Sequence, residues 1–337
     1  MPDATAPSGH RLSLAIDFSA DIGPEARQQV TTVLNGWDSA LFGDSATLQP
    51  LPGGANNQNY VLTSGARRYA LRIANQDNER MAVDRDSARR AQVGAAALGV
   101  APVVLAHCER HGHLLSEFVD GTALSVDTVG EPDVLTAIAA TFRTLHHGTS
   151  DCRTFDPFAD LEMWIDQATD SGFMIPREVP ELRRRAVAVR DVIDNLALPK
   201  AFCHNDTVPQ NFMWDTRRMM LVDWDYAGFY YPAFELGSFT CTADLTEVQT
   251  DYFLRGYDPT LDDAARARVT LMQFVASLRE IAWALNASEM LRGTTMVADA
   301  FYDNYLTNNL RRARQCGLAE HFTAVLDRAA TRGTTAI

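Results

Sequence analysis

Three polar side chains stand in an order that suits phosphoryl transfer. Asp206 follows the apolar segment Ala201-Phe202-Cys203, Asn211 comes five residues later, and Asp223 ends a second apolar segment. A carboxylate can accept or orient the proton of an attacking hydroxyl, whereas amide and carboxylate oxygens are ligands that Mg²⁺ takes beside ATP phosphates. The order therefore predicts Asp206 as a catalytic residue that also contacts the substrate, and Asn211 and Asp223 as metal ligands. Asp225 is a further predicted ligand for the metal and the substrate.

A single aspartate in a loop is more often a turn residue or a helix cap than a catalytic group. Here the order of the three groups, and the apolar segments before Asp206 and Asp223, favour a site. The loop is therefore interpreted as part of a site for ATP and Mg²⁺.

The elements that must position this loop change in type along the chain. Residues 48–73 have the alternation of a strand hairpin, 84–98 have helical spacing, and 100–117 alternate like two further strands. After residue 121 helical spacing dominates, in the segments 134–146, 158–169, 179–195 and 266–291. The predicted class is α+β, with a β-rich N-lobe containing one helix, a larger, mostly α-helical C-lobe, and a cleft between them.

The predicted domain limits follow these changes. Residues 1–40 form an N-terminal extension with a short helix at 24–37, residues 41–117 form a nucleotide-binding N-lobe, and residues 118–121 form the linker. Residues 122–337 form the C-lobe, with the catalytic loop and the acceptor site.

A glycine- and amide-rich loop opens the first predicted hairpin. Gly53 and Gly54 would let backbone amides approach a phosphate closely, and Asn56, Asn57 and Gln58 add side-chain donors. The same composition is also typical of an ordinary hairpin turn. The loop alone leaves both interpretations open.

Together these motifs resemble the choline/ethanolamine kinase branch of the aminoglycoside phosphotransferase superfamily, whose members have a two-lobed protein-kinase-like fold. The resemblance covers about residues 48–310 and rests on the segments 53–60, 69–73, 84–102, 204–211, 223–228 and 234–237. A protein kinase is disfavoured, because Arg72 replaces the lysine of Val-Ala-Ile-Lys and Asp223-Trp-Asp225 replaces Asp-Phe-Gly.

The resemblance implies further roles in nucleotide binding and loop structure. It makes Arg72 the phosphate-binding cation, and it puts the adenine against the interlobe segment 116–119, with Glu117 and Val119 as binding residues. The helix glutamate that usually holds this cation is replaced by Ala88, and Asp84, four residues earlier, could substitute. The resemblance also implies that His204 braces the catalytic loop and that Glu235, in place of the usual aspartate, is structural.

A cationic amino-alcohol acceptor needs aromatic faces and carboxylates. Trp283 shares a helix face with Arg279 and Glu280, away from the main apolar stripe, although interhelical packing is an alternative role. Eukaryotic members of the family tend to have a pair of tryptophans here, so the single one weakens choline and leaves ethanolamine or another amino alcohol open. Asp244 is interpreted either as a substrate ligand or as a helix N-cap before Leu245. The acceptor candidates are Trp283, Tyr302, Tyr305, Trp164, Tyr230 and Asp244.

Composition limits the partners and the location. A net charge of −13 disfavours nucleic acid, and five scattered cysteines without a Cys-x-x-Cys pair disfavour a disulfide framework or a zinc site. The chain has neither a long uninterrupted apolar run nor a signal-like first segment, which predicts a cytoplasmic protein without membrane partners. The sequence does not define an oligomeric state.

The sequence thus predicts an ATP- and Mg²⁺-dependent kinase that phosphorylates a hydroxyl of a cationic amino alcohol such as choline or ethanolamine. An aminoglycoside, thiamine or a sugar-like alcohol is an alternative acceptor on the same fold. A catalytically silent nucleotide-binding protein is the alternative from a different class, which the alanine at position 88 permits.

Overall fold

The computed structural model describes residues 14–51, 57–75, 79–215, 217–291, 299–335 and 337. The described residues divide into two compact units. The first comprises the described residues within Met1–Gln76 and Val104–Phe118, and the second comprises those within Asp77–Val103 and Val119–Ile337.

The first unit is built on one six-stranded sheet with strand order β1-β2-β3-β4-β6-β5. The strands are β1 (Ala15–Phe18), β2 (Ser45–Pro50), β3 (Asn57–Ser64), β4 (Arg67–Ala74), β5 (Val104–His107) and β6 (Leu114–Glu117). Helix α1 (Pro24–Asn35) connects β1 to β2, which run parallel, whereas the other neighbours are antiparallel. The short predicted helix is therefore confirmed, and the predicted extension contributes an edge strand to the sheet.

Alternation along the strands explains the core of this unit. Leu71 and Ile73 on β4 are buried, whereas Arg72 between them is only partly buried. Val30 and Leu34 of α1 belong to the same buried cluster as the sheet residues. The predicted orientation of Arg72, on the face opposite Leu71 and Ile73, is thus observed.

The second unit is mostly helical, as the sequence predicts. Its helices are α2 (Arg85–Ala97), α3 (Pro132–His146), α4 (Pro157–Asp170), α5 (Val179–Leu196), α6 (Pro232–Thr242), α7 (Glu247–Tyr257), α8 (Asp263–Leu291), α9 (Asp299–Gly317) and α10 (Phe322–Ala329). Its short strands are β7 (Thr122–Ala123), β8 (Ala201–Cys203), β9 (Phe212–Trp214), β10 (Met219–Leu221) and β11 (Gly228–Tyr230). Strands β10, β9 and β7 form one sheet and β11 and β8 another, and the loop with Asp206 lies between β8 and β9.

Helix α2 differs from the sequence-based limits, which assigned it to the sheet-bearing part. In the structure it groups with the helical unit. The segment before it is fixed there by side chains of that unit: the indole of Trp164 and the amide of Asn286 donate hydrogen bonds to the carbonyl of Arg80, at 2.9 and 3.0 Å. The hydroxyl of Tyr226 donates to the carbonyl of Met81 at 3.1 Å. These donors are far from α2 in sequence, so its spacing alone could not reveal the grouping.

Among the described helices, none is both long enough and apolar enough to span a lipid bilayer.

Candidate active site

The loop between β8 and β9 brings Asp206 and Asn211 together. The Asn211 side-chain amide donates a hydrogen bond to the backbone carbonyl of Asp206 at 2.9 Å. The backbone amide of Val222 donates to the Asn211 carbonyl at 2.9 Å, which joins the segment before Asp223 to the same loop. Since the nitrogen of the Asn211 side chain is used inside the loop, its oxygen is the atom suited to a cation.

Asp206 is electrostatically coupled to Asp223. Burial, the Asp223 carboxylate and the Glu280 carboxylate raise the pKa of Asp206 well above its usual range. Asp223 has a left-handed backbone with a φ of 62°, which an aspartate tolerates better than most residues. Neighbouring carboxylates and an amide oxygen are hard ligands that fit Mg²⁺, because a divalent cation offsets the repulsion between like charges.

His204 lies just before this loop and uses both ring nitrogens within the protein. Its Nε2 donates to the carbonyl of Val222 at 3.0 Å, and its Nδ1 accepts from the backbone amide of Asp206 at 3.3 Å. Burial lowers the pKa of His204, which favours the neutral ring that this pair of bonds requires. These contacts suit a brace for the loop, as the resemblance implies.

Glu235 on α6 holds the start of the loop from the other side. One oxygen accepts the backbone amides of His204 and Asn205, at 2.6 and 2.9 Å. The other lies 2.5 Å from Nε2 of His146, and the buried thiol of Cys203 is nearby. Asn205 has a positive φ of 63°. Because both Glu235 oxygens accept these hydrogen bonds, we interpret the cluster of His146, Cys203 and Glu235 as a structural network rather than a metal centre.

Asp225 is buried in an ion pair. Its Oδ2 lies 2.6 Å from Nη1 of Arg85, at the start of α2. An oxygen in this pair is committed to a cation of the protein itself, so the pair fixes the segment after Asp223 against α2. The metal and substrate roles of Asp225 stay predictions.

Asp84 is the N-cap of α2. Its carboxylate accepts the backbone amide of Ser87 at 3.0 Å, and Ala88 is buried on the same helix. Because Asp84 and Arg72 belong to different units, the substitution of Asp84 for the missing glutamate stays a prediction.

The predicted nucleotide ligands are spread over several segments. Gly53, Gly54 and Asn56 lie outside the described residues. Asn57 and Gln58 begin β3, and the Gln58 side-chain oxygen accepts the hydroxyl of Tyr60 at 2.8 Å. Glu117 ends β6 and Val119 lies in the second unit. The roles of these residues and of Arg72 in nucleotide binding stay predictions.

Three of the five predicted acceptor aromatics, Trp283, Tyr302 and Tyr305, come together. The ring centroid of Trp283 lies 6.3 Å from that of Tyr302 and 5.5 Å from that of Tyr305. The hydroxyl of Tyr305 donates to Oε2 of Glu280 at 2.8 Å. Sequence reasoning did not name Glu280 as a site residue, although its position on the same helix face as Trp283 was a signal for it. The fully buried Trp164 belongs to the surroundings of Arg279, and Tyr230 packs on Tyr231.

Asp244 has other contacts than those expected. The N-cap of α7 is Thr246, in a capping box with Gln249, so the N-cap role for Asp244 is wrong. Asp244 lies at the surface with a positive φ of 52° and pairs with Arg311 and Arg312, at 3.3 and 3.5 Å. Its role as a substrate ligand stays a prediction.

The first unit is built on a mixed sheet, and the second is mostly helical and contains the Asp206 loop between two short strands. Together these features define a protein-kinase-like fold. The crystal structure of a choline/ethanolamine kinase family protein from Mesorhizobium loti matches with a TM-score of 0.72 and 24% identity, over 84% of this chain and 92% of that one. The model of the family described as "Phosphotransferase enzyme family" matches residues 47–292, and the chain belongs to this family.

Named relatives match over shorter stretches. Protein LicA of Haemophilus influenzae is 25% identical over 209 residues, which is 61% of this chain and 61% of LicA. Ethanolamine kinase 2 of Mus musculus is 26% identical over 164 residues, or 46% of this chain and 42% of that protein. The chain thus spans less than two thirds of the length of these curated relatives.

Proposed function

We propose that the protein is an ATP- and Mg²⁺-dependent small-molecule kinase that transfers the γ-phosphate to a hydroxyl of a cationic amino alcohol such as choline or ethanolamine. The observation that carries this proposal is the bond from the Asn211 amide to the Asp206 carbonyl, together with the tie from Val222 to Asn211. These bonds tie together the backbone segments that carry Asp206, Asn211 and, directly after Val222, Asp223.

Each residue has a defined task in this reaction. Asp206 orients the acceptor hydroxyl and accepts its proton as the oxygen bonds to the γ-phosphorus, while the bond between that phosphorus and the bridging oxygen breaks and ADP leaves. Asn211 and Asp223 would hold Mg²⁺, which neutralises charge on the ATP phosphates when bound. His204 and Glu235 keep the loop rigid through buried bonds to its backbone. Catalysis by positioning requires such rigidity, because small displacements of the reacting groups are costly.

The acceptor class is supported by the neighbourhood of Asp206 and by the names of relatives. Glu280 is close enough for its charge to raise the pKa of Asp206, and it bonds to Tyr305 beside Trp283. A carboxylate next to aromatic side chains suits an organic cation. Ethanolamine kinase 2 is among the relatives of this chain.

A silent nucleotide-binding protein is the second candidate, favoured by the buried Ala88 at the place of the usual helix glutamate. The test is ATP consumption with Mg²⁺ across choline, ethanolamine, thiamine and aminoglycosides. Native protein is compared with Asp206→Ala and with Asp191→Ala, an exposed control on α5.

We expect turnover with an amino alcohol in the native and control proteins and its loss in Asp206→Ala. Thermal stabilisation by a nucleotide without turnover of any alcohol would support the silent binder. Turnover of only an aminoglycoside, thiamine or another alcohol would keep the reaction and replace the acceptor.

A further inference from the structure

Glu280 on α8 is held from two sides. Its Oε1 accepts a hydrogen bond from Nη1 of Arg279 at 3.0 Å, and its Oε2 accepts one from the hydroxyl of Tyr305 at 2.8 Å. Burial and the Glu280 carboxylate raise the pKa of Tyr305 well above its usual value, which keeps the phenol protonated as a donor. The carboxylate is thus fixed in orientation, and each of its oxygens accepts one of these two bonds and has a second lone pair for a further donor. Its side chain is 13% exposed, unlike the fully buried Glu235.

Arg279 is a buried cation inside a box of aromatic rings. Its guanidinium carbon lies 4.4 Å from the ring centroid of Tyr226, 4.8 Å from Trp164 and 5.2 Å from Phe155. Its Nε and Nη2 donate to one oxygen of Asp160, at 3.1 and 2.9 Å. Because the guanidinium is planar, anchoring two nitrogens on Asp160 fixes the direction of the third toward Glu280. The Arg279 guanidinium therefore occupies the space between these rings, so no ligand cation binds there. Arg279 acts on a ligand only by orienting Glu280.

The neighbouring rings contact one another. Trp283 and Tyr305 pack edge to face with centroids 5.5 Å apart, and Phe301 stacks on Tyr305 at 5.4 Å. These two contacts occupy part of the aromatic surface around Tyr305. A cation without N–H groups depends on open aromatic faces, whereas a cation with N–H groups can be bound by oxygen atoms.

We propose that Glu280 binds the ammonium group of the acceptor through N–H···O hydrogen bonds, that Arg279 is its positioning residue, and that the site consequently prefers primary and secondary ammonium alcohols over quaternary ones. This inference rests on the proposed function. Arg279, which donates to Glu280, has its guanidinium carbon 4.4 Å from the ring centroid of Tyr226, three residues after Asp223. The acceptor hydroxyl at Asp206 and the ammonium group at Glu280 then lie on the same side of this segment. Arg279 already offsets part of the negative charge of Glu280. Primary, secondary and quaternary ammonium alcohols carry the same charge, so their N–H groups determine how strongly each one binds Glu280.

The first test is a series in which N–H groups are removed one at a time while the hydroxyl and the positive charge stay the same. Ethanolamine, N-methylethanolamine, N,N-dimethylethanolamine and choline are compared by kcat/KM with the native protein. We expect kcat/KM to fall along the series, with choline at least about 10-fold below ethanolamine, since a site built for N–H donors rejects analogues without them. Equal or better turnover of choline would overturn this inference alone. Turnover of no member would overturn both it and the proposed function.

Variants of Glu280 and Tyr305 test whether these residues cause the preference for ethanolamine over choline. Glu280→Gln keeps the shape but removes the charge, so the KM of ethanolamine should rise on the order of 10-fold or more while the KM of ATP stays within about twofold. Tyr305→Phe keeps the ring and removes one bond to Glu280, so it should change ethanolamine more than choline. Glu320→Gln, at an exposed position, is the matched control. An unchanged preference between ethanolamine and choline in both Glu280→Gln and Tyr305→Phe would overturn the assignment.

The role of Arg279 is tested by rescue. Arg279→Ala empties the box, and we expect added guanidinium to restore part of the kcat/KM for ethanolamine, whereas an equal concentration of sodium should not. If Arg279→Ala does not fold, Arg279→Lys retains a cation without the fixed fork, and its KM for ethanolamine should rise more than its KM for ATP. Equal rises of both constants in Arg279→Lys would overturn the positioning role.

Discussion

Nε2 of His146 lies 2.5 Å from Oε2 of Glu235, and both side chains are almost completely buried. The other oxygen of Glu235 holds the backbone amides of His204 and Asn205, directly before Asp206. On its far side the His146 ring contacts the hydroxyl of Tyr257 at 2.8 Å. Helices α3, α6 and α7 are therefore joined to the loop by one buried network.

Glu235→Ala should damage both stability and catalysis. It leaves the two loop amides and His146 without their acceptor, so we expect the free energy of unfolding to fall by about 3–5 kcal/mol. We expect kcat to fall at least about 10-fold, with smaller changes in the KM values, because the loop is misplaced rather than removed. Urea unfolding and steady-state kinetics measure both. Glu247→Ala, on the exposed start of α7, is the control, and a Glu235→Ala protein as stable as this control would contradict the network's role.

The Arg85–Asp225 pair should behave as one unit. Its side chains are 8% and 2% exposed, so Arg85→Met or Asp225→Asn alone removes this ion pair from a buried charge and should cost about 3–5 kcal/mol of unfolding free energy. The double variant should cost less than the sum of the two, by about 1–3 kcal/mol. Arg89→Met on the same helix removes a more accessible pair with Asp86, whose side chains are 26% and 55% exposed, and should change stability by less than about 1 kcal/mol. Strict additivity would show that the buried pair is not coupled.

Trp283→Ala should raise the KM of a cationic acceptor more than the KM of ATP. Trp283 packs on Tyr305, the residue that bonds to Glu280, so its loss should disturb the proposed acceptor side of the site. Steady-state kinetics with each substrate varied in turn separate the two constants. Trp283→Phe retains part of the packing and serves as the conservative comparison. Equal increases in both constants would identify Trp283 as a packing residue only.

Asp262 should make stability depend on acidity. Hydrogen bonds from the backbone amide of Ala265, and from those of Thr334 and Thr335, lower the pKa of Asp262 to about 2. Because the pKa is lower in the folded than in the unfolded chain, the contribution is complete above about pH 4 and is lost as the pH falls toward 2. At pH 7, Asp262→Asn should lower the free energy of unfolding by about 1 kcal/mol, because solvent beside this partly exposed carboxylate screens the interaction. Urea unfolding at several pH values checks this, and a difference that stays constant down to pH 2.5 would contradict it.

The fold was largely readable from the chain because its signals are local. Helical spacing marked α3, α4, α5 and α8, and alternation around Arg72 marked β4. Strand β1 was missed because it has only four residues and pairs in parallel with β2 across α1, a contact that has no local signature. The place of α2 was missed for a similar reason, since its anchors come from α4, α8 and the segment after Asp223.

The candidate site also contains residues that are close in sequence, which could be predicted, and residues that only packing brings together. Asp206 and Asn211 lie on one short loop, so their spacing could suggest that they meet. Arg279 and Asp160 are 119 positions apart, and Arg85 and Asp225 are 140 apart, so packing alone brings these buried ion pairs together. An isolated arginine in a sequence carries no sign of its future partner. For this reason the cluster of Arg279, Asp160 and Glu280, our proposed acceptor side, could not be predicted from the sequence.

The most direct measurement of the central claim is phosphoryl transfer itself. Native protein and Asp206→Asn are mixed with γ-labelled ATP, Mg²⁺ and ethanolamine, the labelled acceptor is quantified with time, and ATP binding is measured in parallel by calorimetry. We expect Asp206→Asn to bind ATP within about threefold of the native affinity and to form phosphorylated acceptor about 10²–10⁴-fold more slowly, the range for loss of a general base. Formation of labelled acceptor at the native rate in Asp206→Asn would contradict the account.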